Sequence, residues 1–319
     1  MKKLYLVIPC YNEEEVLLET KKRLKIKMTD LIKNKVVSPH SKIVFVNDGS
    51  LDNTWNLILD FHKKDRLFTG INLSRNRGHQ NALLAGLMTV KDEADMVITL
   101  DCDLQDDIDV IDKFIEEYNN GNDIVYGVRK SRQKDTFFKR NSAIMLYKLM
   151  HILGIEVIYN HADYRLMSKR AILCLEKFKE VNLFLRGIVP LIGYKYSVVY
   201  YDRQERFAGK SKYSLKKMLS FALDGITSFT IKPIRLIVLL GFMIFLISII
   251  MLVYTLIRHF SGQTIIGWSS VMTSVWAIGG LQLFSIGIIG EYIGKIYLET
   301  KARPRYIIDE YLEEKKKSK

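Results

Sequence analysis

The sequence predicts an α/β domain, a mostly parallel sheet with helices on both faces, followed by a hairpin of two membrane-spanning helices. Three observations predict it. Short β-branched apolar runs alternate with segments of helical spacing over the first 130 residues, two long runs near the C-terminus carry no charge, and basic residues crowd the ends of those runs.

The apolar runs are Leu4 to Pro9, Ile43 to Asn47, Thr69 to Leu73, Met96 to Leu100 and Ile124 to Val128, each of a length that suits a strand. Between them Glu13 to about Lys33, Thr54 to Lys63, Gln80 to Val90 and Val110 to Asn119 repeat apolar residues at helical spacing. Regular alternation of this kind gives a parallel sheet with crossover helices, and such sheets bind ligands at the carboxyl ends of their strands. The polar residues that end the runs are therefore expected to line the site: Tyr11, Asn12 and Glu13; Asp48, Gly49 and Ser50; and Asp101 to Gln105.

After this domain, taken as residues 1–212, comes a juxtamembrane segment, 213–233. Leu215, Met218, Leu219, Ala222, Ile226 and Phe229 share one helical stripe there, with Lys216 and Lys217 on other faces, a pattern that suits a helix lying in the membrane interface. The hairpin occupies 234–296. Its first span, Leu236 to Ile257, is 22 residues without a charge, and at about 1.5 Å per residue it matches a hydrocarbon core of roughly 30 Å. The second, about 268–290, is equally uncharged but richer in Gly, Ser and Thr, which suits close helix packing in lipid. Residues 297–319 read as a basic tail.

Lys210, Lys212, Lys216, Lys217, Lys232 and Arg235 precede the first span, and Lys295, Lys301, Arg303, Arg305 and Lys315 to Lys317 follow the second. The connecting loop offers only Arg258 and His259, so the excess of positive charge places both termini and the large domain on the cytoplasmic side of an inner membrane. The first apolar run is too short for a cleavable secretion signal. Cys10, Cys102 and Cys174 are isolated, which argues against a disulfide framework or a zinc site. The 48 basic against 35 acidic side chains leave a net charge of +13. Much of it lies beside the spans or between Arg129 and Arg140, so anionic lipid fits better than nucleic acid.

Asp101, Asp103 and Gln105 sit two apart at a strand end. If the backbone stays extended, alternate side chains point the same way, and three oxygen ligands converge on a hard cation such as Mg²⁺ or Mn²⁺. The loop carrying Arg129, Lys130, Arg132, Lys134, Lys139 and Arg140 leads into an apolar segment, Ile144 to Leu153, and its charge would draw an anionic lipid head toward the domain.

Taken together, Val7-Ile8-Pro9-Cys10-Tyr11-Asn12-Glu13, Val46-Asn47-Asp48-Gly49-Ser50, Asn76-Arg77-Gly78-His79-Gln80 and Asp101-Cys102-Asp103-Leu104-Gln105, in that order, resemble family 2 glycosyltransferases of the dolichol-phosphate-mannose-synthase type. They are more similar still to bacterial polyprenyl-phosphate (bactoprenol) glycosyltransferases. The resemblance continues through His161-Ala162-Asp163-Tyr164-Arg165-Leu166, Arg206-Phe207-Ala208-Gly209-Lys210-Ser211-Lys212-Tyr213, both spans, and Gly290-Glu291-Tyr292-Ile293-Gly294-Lys295 running into Arg303-Pro304.

This resemblance implies a GT-A fold and inverting transfer of one sugar from a nucleotide-sugar donor, UDP-glucose ahead of UDP-GlcNAc or another hexose, to a polyprenyl phosphate acceptor. It implies that Pro9, Tyr11, Glu13 and Asp48 hold the base and ribose. Asp101 holds diphosphate and metal, Asp103 and Gln105 complete the Mg²⁺ or Mn²⁺ site, and Arg206 closes over the diphosphate. Arg129 and Arg140 match partners of the acceptor phosphate, and Asp163 matches the position of the catalytic base. A phosphate monoester is largely dianionic at neutral pH, so Asp163 alternatively orients the attacking oxygen or the sugar. The resemblance also implies a homo-oligomer, to which Gly279, Gly280, Gly287, Gly290 and Gly294 could contribute a packing face, and a separate flippase and downstream transferase. Two other readings stand beside it, a processive polysaccharide synthase and a non-catalytic nucleotide-binding scaffold. The first is disfavoured because the tryptophans, Trp55, Trp268 and Trp276, supply no Gln-x-x-Arg-Trp segment, and the second because the metal and diphosphate positions are intact.

Overall fold

A computed structural model of the chain describes residues 1–130, 161–181, 183–204, 230, 232–261 and 267–312. All five predicted strands form: β1 (Leu4–Cys10), β2 (Lys42–Asn47), β3 (Phe68–Leu73), β4 (Met96–Thr99) and β5 (Ile124–Arg129). The four predicted helices form between them: α1 (Glu14–Lys33), α2 (Thr54–Lys64), α3 (His79–Val90) and α4 (Ile111–Asn119), the last preceded by a 3₁₀ turn at Ile108–Val110.

Further elements complete the domain: β6 (His161–Ser168), α5 (Lys169–Leu175), α6 (Leu185–Leu191), β7 (Tyr196–Tyr201) and β8 (Ile308–Tyr311). The eight strands run in the order β7-β5-β6-β4-β1-β2-β3-β8. β1 pairs parallel with β2 and β4, β2 with β3, and β5 with β7. β6 is antiparallel to both β4 and β5, and β8 is antiparallel to β3.

Central strands covered on both faces read as continuous apolar runs, and the strand period of two sorts their residues. Leu4, Leu6 and Ile8 of β1 join Leu17 and Leu24 of α1, Phe61 of α2 and Phe114 of α4 in one core. Tyr5 and Val7 turn the other way, to Ala82, Leu84 and Leu87 of α3 and Ile172 of α5. Fully burying one such side chain contributes about 1.5–3 kcal/mol. α3 comes so close to the sheet that a Cβ added at Gly86 would lie 2.4 Å from Val7 Cγ1 and 2.9 Å from Val46 Cγ2.

The C-terminal segment departs from the expected free tail. After α7 (Lys232–Phe260), α8 (Trp268–Lys301) continues well beyond the uncharged run, and the chain then returns to the domain as β8. Thr69 Oγ1 donates to the Leu312 carbonyl, Leu312 N–H donates to the Gly70 carbonyl at 2.9 Å, and the Leu312 side chain enters the core. The physical reason is that β3 would otherwise be an open edge of unpaired backbone groups.

Large apolar side chains on both long helices, among them Leu236, Val238, Phe242, Ile250, Leu283 and Phe284, are more than half exposed. Among the described residues no helix is long and apolar enough to cross a membrane. Side chains at 245, 248, 251, 252, 255 and 256 of α7 lie outside the described residues, so the uncharged length of Leu236 to Ile257 is a property of the sequence. Most of the segment 213–233 also lies outside them.

Gly86→Ala is expected to destabilise the protein by about 1–3 kcal/mol through overpacking against two stiff valines. Denaturant unfolding of the purified protein measures this, and an unchanged midpoint would contradict the packing of α3 on β1 and β2.

Candidate active site

The carboxyl ends of β1 and β2 are stitched to each other. Asn12, at φ +51°, receives the Leu51 N–H on its side-chain oxygen at 2.9 Å, while its own N–H donates to Ser50 Oγ at 3.0 Å. Glu13 N–H donates to Thr54 Oγ1 at 3.0 Å. The loop with Tyr11 and Glu13 therefore abuts the Asp48–Gly49–Ser50 turn, as strand order alone would require. Pro9 is buried within β1, opposite Val46 of β2.

Asp48 is buried and already employed. Its two oxygens accept the N–H groups of Arg77 at 2.7 Å and Gly78 at 2.9 Å. Burial pushes its pKa up against those two hydrogen bonds. Gly49, at φ +62°, lies against the same loop, since a Cβ there would be 2.5 Å from Arg75 C and Asn76 N. Only glycine fits that approach, and the result fixes the start of α3 beside the end of β2.

The segment after β4 does not stay extended. The chain turns at Cys102 and Asp103, Leu104 adopts φ +57°, and Cys102 is buried with its carbonyl accepting from Thr20 Oγ1. The two-residue alternation expected for Asp101, Asp103 and Gln105 is thus replaced by a turn, because Cys102 and Leu104 are both drawn into the interior. Asp103 Oδ1 accepts the Gln105 N–H at 3.2 Å, and Gln105 Oε1 accepts from Arg203. Among the described residues no three His, Cys, Asp or Glu side chains cluster closely enough to hold a metal ion.

The donor set of Asp101, Asp103 and Gln105 nonetheless has the chemistry of a hard cation site, all oxygen. The Asp101 carboxyl is pushed up to about 6 by burial and by the neighbouring Asp106, Asp103 and Asp163, with His79 opposing. Such an excess of carboxylate is what a divalent cation relieves.

Asp163 lies inside β6, where the strand period puts it on the same face as Arg165. Arg165 Nη2 reaches Asp163 Oδ1 at 2.6 Å, and both side chains are buried. A second guanidinium comes from α6: Arg186 Nε lies 3.3 Å from Oδ1 and Nη2 3.1 Å from Oδ2. A third group comes from α3, where His79 Nε2 is 3.6 Å from Asp163 Oδ2 and 3.4 Å from Asp101 Oδ1.

Burial alone would raise the Asp163 pKa, but Arg186, His79 and Arg165 outweigh it and hold the carboxyl well below the usual range. Burial pulls His79 down, yet Asp101 and Asp163 hold it above its ordinary value. His79 and Asp101 keep 34% and 36% of their side chains exposed, so water screens part of this coupling. Leu185 N–H donates to Gln80 Oε1 at 2.8 Å, which locks the start of α6 to the start of α3.

Arg129 occupies a different place. Its Nη2 is 3.4 Å from Asp106 Oδ1 and its Nε donates to Tyr201 Oη at 3.3 Å, while Tyr201 donates to the same Asp106 oxygen at 2.5 Å. Asp106 and Tyr201 hold the guanidinium charged against its partial burial. Arg206 and Arg140 lie outside the described residues.

His79 and Arg165 lie in the motifs quoted from the sequence but were given no role there, and Arg186 was not singled out. Arg165 was legible as a partner two residues from Asp163, whereas His79 and Arg186 lie 84 and 23 positions away from it.

Comparison with known proteins now identifies the chain. Residues 5–175 match the family Glycosyl transferase family 2. The chain belongs to that family. It is therefore a glycosyltransferase, and its sheet is the GT-A arrangement that the motifs implied. Residues 232–296 match a second family, the GtrB C-terminal hairpin, which marks α7 and α8 as a membrane-associated unit.

Among curated relatives, the uncharacterized glycosyltransferase YkoT of Bacillus subtilis is 55% identical, over 96% of this chain and 91% of its own length. The bactoprenol glucosyl transferase of Shigella phage SfX is 39% identical, over 96% of this chain and 98% of its own. Among solved structures, glucosyl-3-phosphoglycerate synthase of Mycobacterium tuberculosis, in complex with Mn²⁺, UDP and phosphoglyceric acid, is 14% identical, covers 71% of this chain and 76% of its own, and gives a TM-score of 0.45.

Asp163→Asn in this glycosyltransferase leaves Arg165 buried without its charge partner, and the expected loss is about 3 kcal/mol. Because the folded pKa is depressed, the stabilisation from ionised Asp163 is full above the unfolded value of about 3.9 and fades only as pH falls below it. Unfolding midpoints of parent and variant at pH 7 and pH 3 test this; equal midpoints at pH 7 would contradict the buried pair.

Proposed function

We propose that the chain transfers a single glucose from UDP-glucose to undecaprenyl phosphate at the cytoplasmic face of a membrane, with inversion at the anomeric carbon. The observation that carries this reading is the presence, in one chain, of the Asp101–His79–Asp163 cluster at the carboxyl edge of the sheet and of a GtrB-type hairpin. The name of the phage relative, which matches over nearly its full length, supports the choice of acceptor and sugar. The exposed apolar side chains of α7 and α8 support burial of the hairpin in lipid, since soluble proteins rarely leave such large apolar patches uncovered.

The acceptor phosphate is largely dianionic at neutral pH. One of its oxygens attacks the anomeric carbon, the bond from that carbon to the diphosphate oxygen breaks, and the electron pair departs with UDP. Asp163, held ionised by Arg165, Arg186 and His79, is a poor proton acceptor, so its part is to keep His79 and Arg186 in place beside the reacting groups.

Asp101 and Asp103, with Gln105, would hold a divalent cation, Mg²⁺ or Mn²⁺. When bound, the cation neutralises diphosphate charge and eases departure of the nucleoside diphosphate. Pro9, Tyr11, Glu13 and Asp48 border the space for the base and ribose, with Asp48 acting through the Arg77–Gly78 loop it holds. Arg206 and Arg140 enter this reading by resemblance, as ligands of the diphosphate and of the acceptor phosphate.

Both termini are assigned to the cytoplasm from the basic residues flanking the hairpin. Among the described residues, a Cβ added at Gly279, Gly280, Gly287, Gly290 or Gly294 would meet nothing within 4 Å, which leaves α8 a face of small residues for a second copy. A flippase and a downstream transferase would then use the glycolipid.

The test is transfer to undecaprenyl phosphate by the detergent-purified protein, with radiolabelled UDP-glucose, UDP-GlcNAc and GDP-mannose, Mg²⁺ or Mn²⁺, and an EDTA control. Glucose is expected in the lipid phase, with turnover abolished by EDTA and reduced at least a hundredfold in Asp103→Asn. Label in oligosaccharide would favour a processive synthase, and donor binding with no transfer would favour a scaffold.

A further inference from the structure

We propose that Arg186 is a ligand of the acceptor phosphate, presented to it from α6 and held in readiness against Asp163. This deepens the function proposed above and rests on its acceptor.

The first argument is charge. Arg165 alone, at 2.6 Å and with its side chain 2% exposed, neutralises Asp163 inside the domain. Arg186 is a second guanidinium on the same carboxylate, and its side chain stays 30% exposed. Asp163 thus carries two guanidinium partners from two different elements, Arg165 of β6 and Arg186 of α6. A guanidinium that shares a carboxylate with a buried arginine gives up little by turning part of its fork to a phosphate dianion, which offers the same bidentate geometry and more charge.

The second argument is position. Leu185, next to Arg186, is fixed to Gln80, and Gln80 follows His79, the group lying between Asp163 and Asp101. Arg186 Nη2 and His79 Nε2 accordingly share Asp163 Oδ2, at 3.1 and 3.6 Å, on the side of Asp163 that faces Asp101 through His79. Arg129, by contrast, has its charge engaged by the buried Asp106 and by Tyr201.

The third argument is the link to the membrane-associated hairpin. The Val181 N–H, a few residues ahead of α6, donates to both carboxylate oxygens of Glu299 on α8, at 2.8 and 2.9 Å. Arg305 Nη1, just past α8, donates to the Phe178 carbonyl at 3.1 Å. The segment that delivers Arg186 is thus registered on the end of α8 that follows its uncharged run.

Steady-state kinetics with varied undecaprenyl phosphate, together with calorimetric UDP binding in the absence of lipid, test the assignment on Arg186→Gln and Arg186→Lys. The acceptor KM is expected to rise at least tenfold in Arg186→Gln and by less in Arg186→Lys. kcat should change less than KM, and the Kd for UDP should stay within twofold, which also reports that the variant is folded. An acceptor KM within twofold of the parent, or a UDP affinity that falls in step with it, would overturn the assignment. No transfer by the parent protein would overturn the functional reading and this inference with it, whereas transfer by the parent with an unmoved acceptor KM in Arg186→Gln would overturn the role of Arg186 alone.

Discussion

Asp101 and Asp163 face each other across His79, and the need to keep two carboxylates together at the end of a sheet is the constraint on which the site depends. Like charges at such a distance repel strongly in a partly desolvated setting. The protein answers differently on the two sides. Around Asp163 it supplies two arginines and a histidine, which hold this carboxyl well below the usual carboxylate range against its burial. At Asp101 burial and the neighbouring Asp106, Asp103 and Asp163 outweigh His79, so its carboxyl is pushed up to about 6.

Much of the remaining architecture holds those groups in register. Thr99 Oγ1, at the end of β4, donates to the Asp163 carbonyl and so fixes β6 against the strand that leads into Asp101. Beneath the turn at Cys102 and Asp103, Tyr164 Oη donates to the Asp107 carbonyl at 3.0 Å, and Tyr164 packs edge-on against Tyr201. Asp48 spends both oxygens on the loop that starts α3, which sets the position of His79. The buried carboxylate at the end of β2 thereby also positions the bridge between Asp101 and Asp163.

The C-terminal strand ties this core to the hairpin. β8 closes the β3 edge, and Asn72 of β3 donates from its amide to Asp309 of β8 at 3.2 Å and accepts from Asn47 of β2 at 2.7 Å. A few residues earlier in the chain, Glu299 and Arg305 hold the segment that precedes α6. Both attachments fall within the residues that follow the uncharged runs, so the end of α8 and the sheet that carries the candidate site are tied together.

The sequence by itself determined the alternation of strands and helices, the loops that end the strands, and the family, because each rests on periodicity or on contiguous motifs a few residues long. The Asp163–Arg165 pair was not read from it, although residues two apart on a strand share a face. It did not reveal that Cys102 and Leu104 would turn the Asp101–Gln105 segment inward, because that choice is made by the core beneath it. Nor did it reveal the closure of β3 by β8 or the convergence of His79 and Arg186 on Asp163. Those contacts join residues from 23 to 243 positions apart, and only the packing of α3, α6 and the returning C-terminal segment around one sheet brings them within hydrogen-bonding reach.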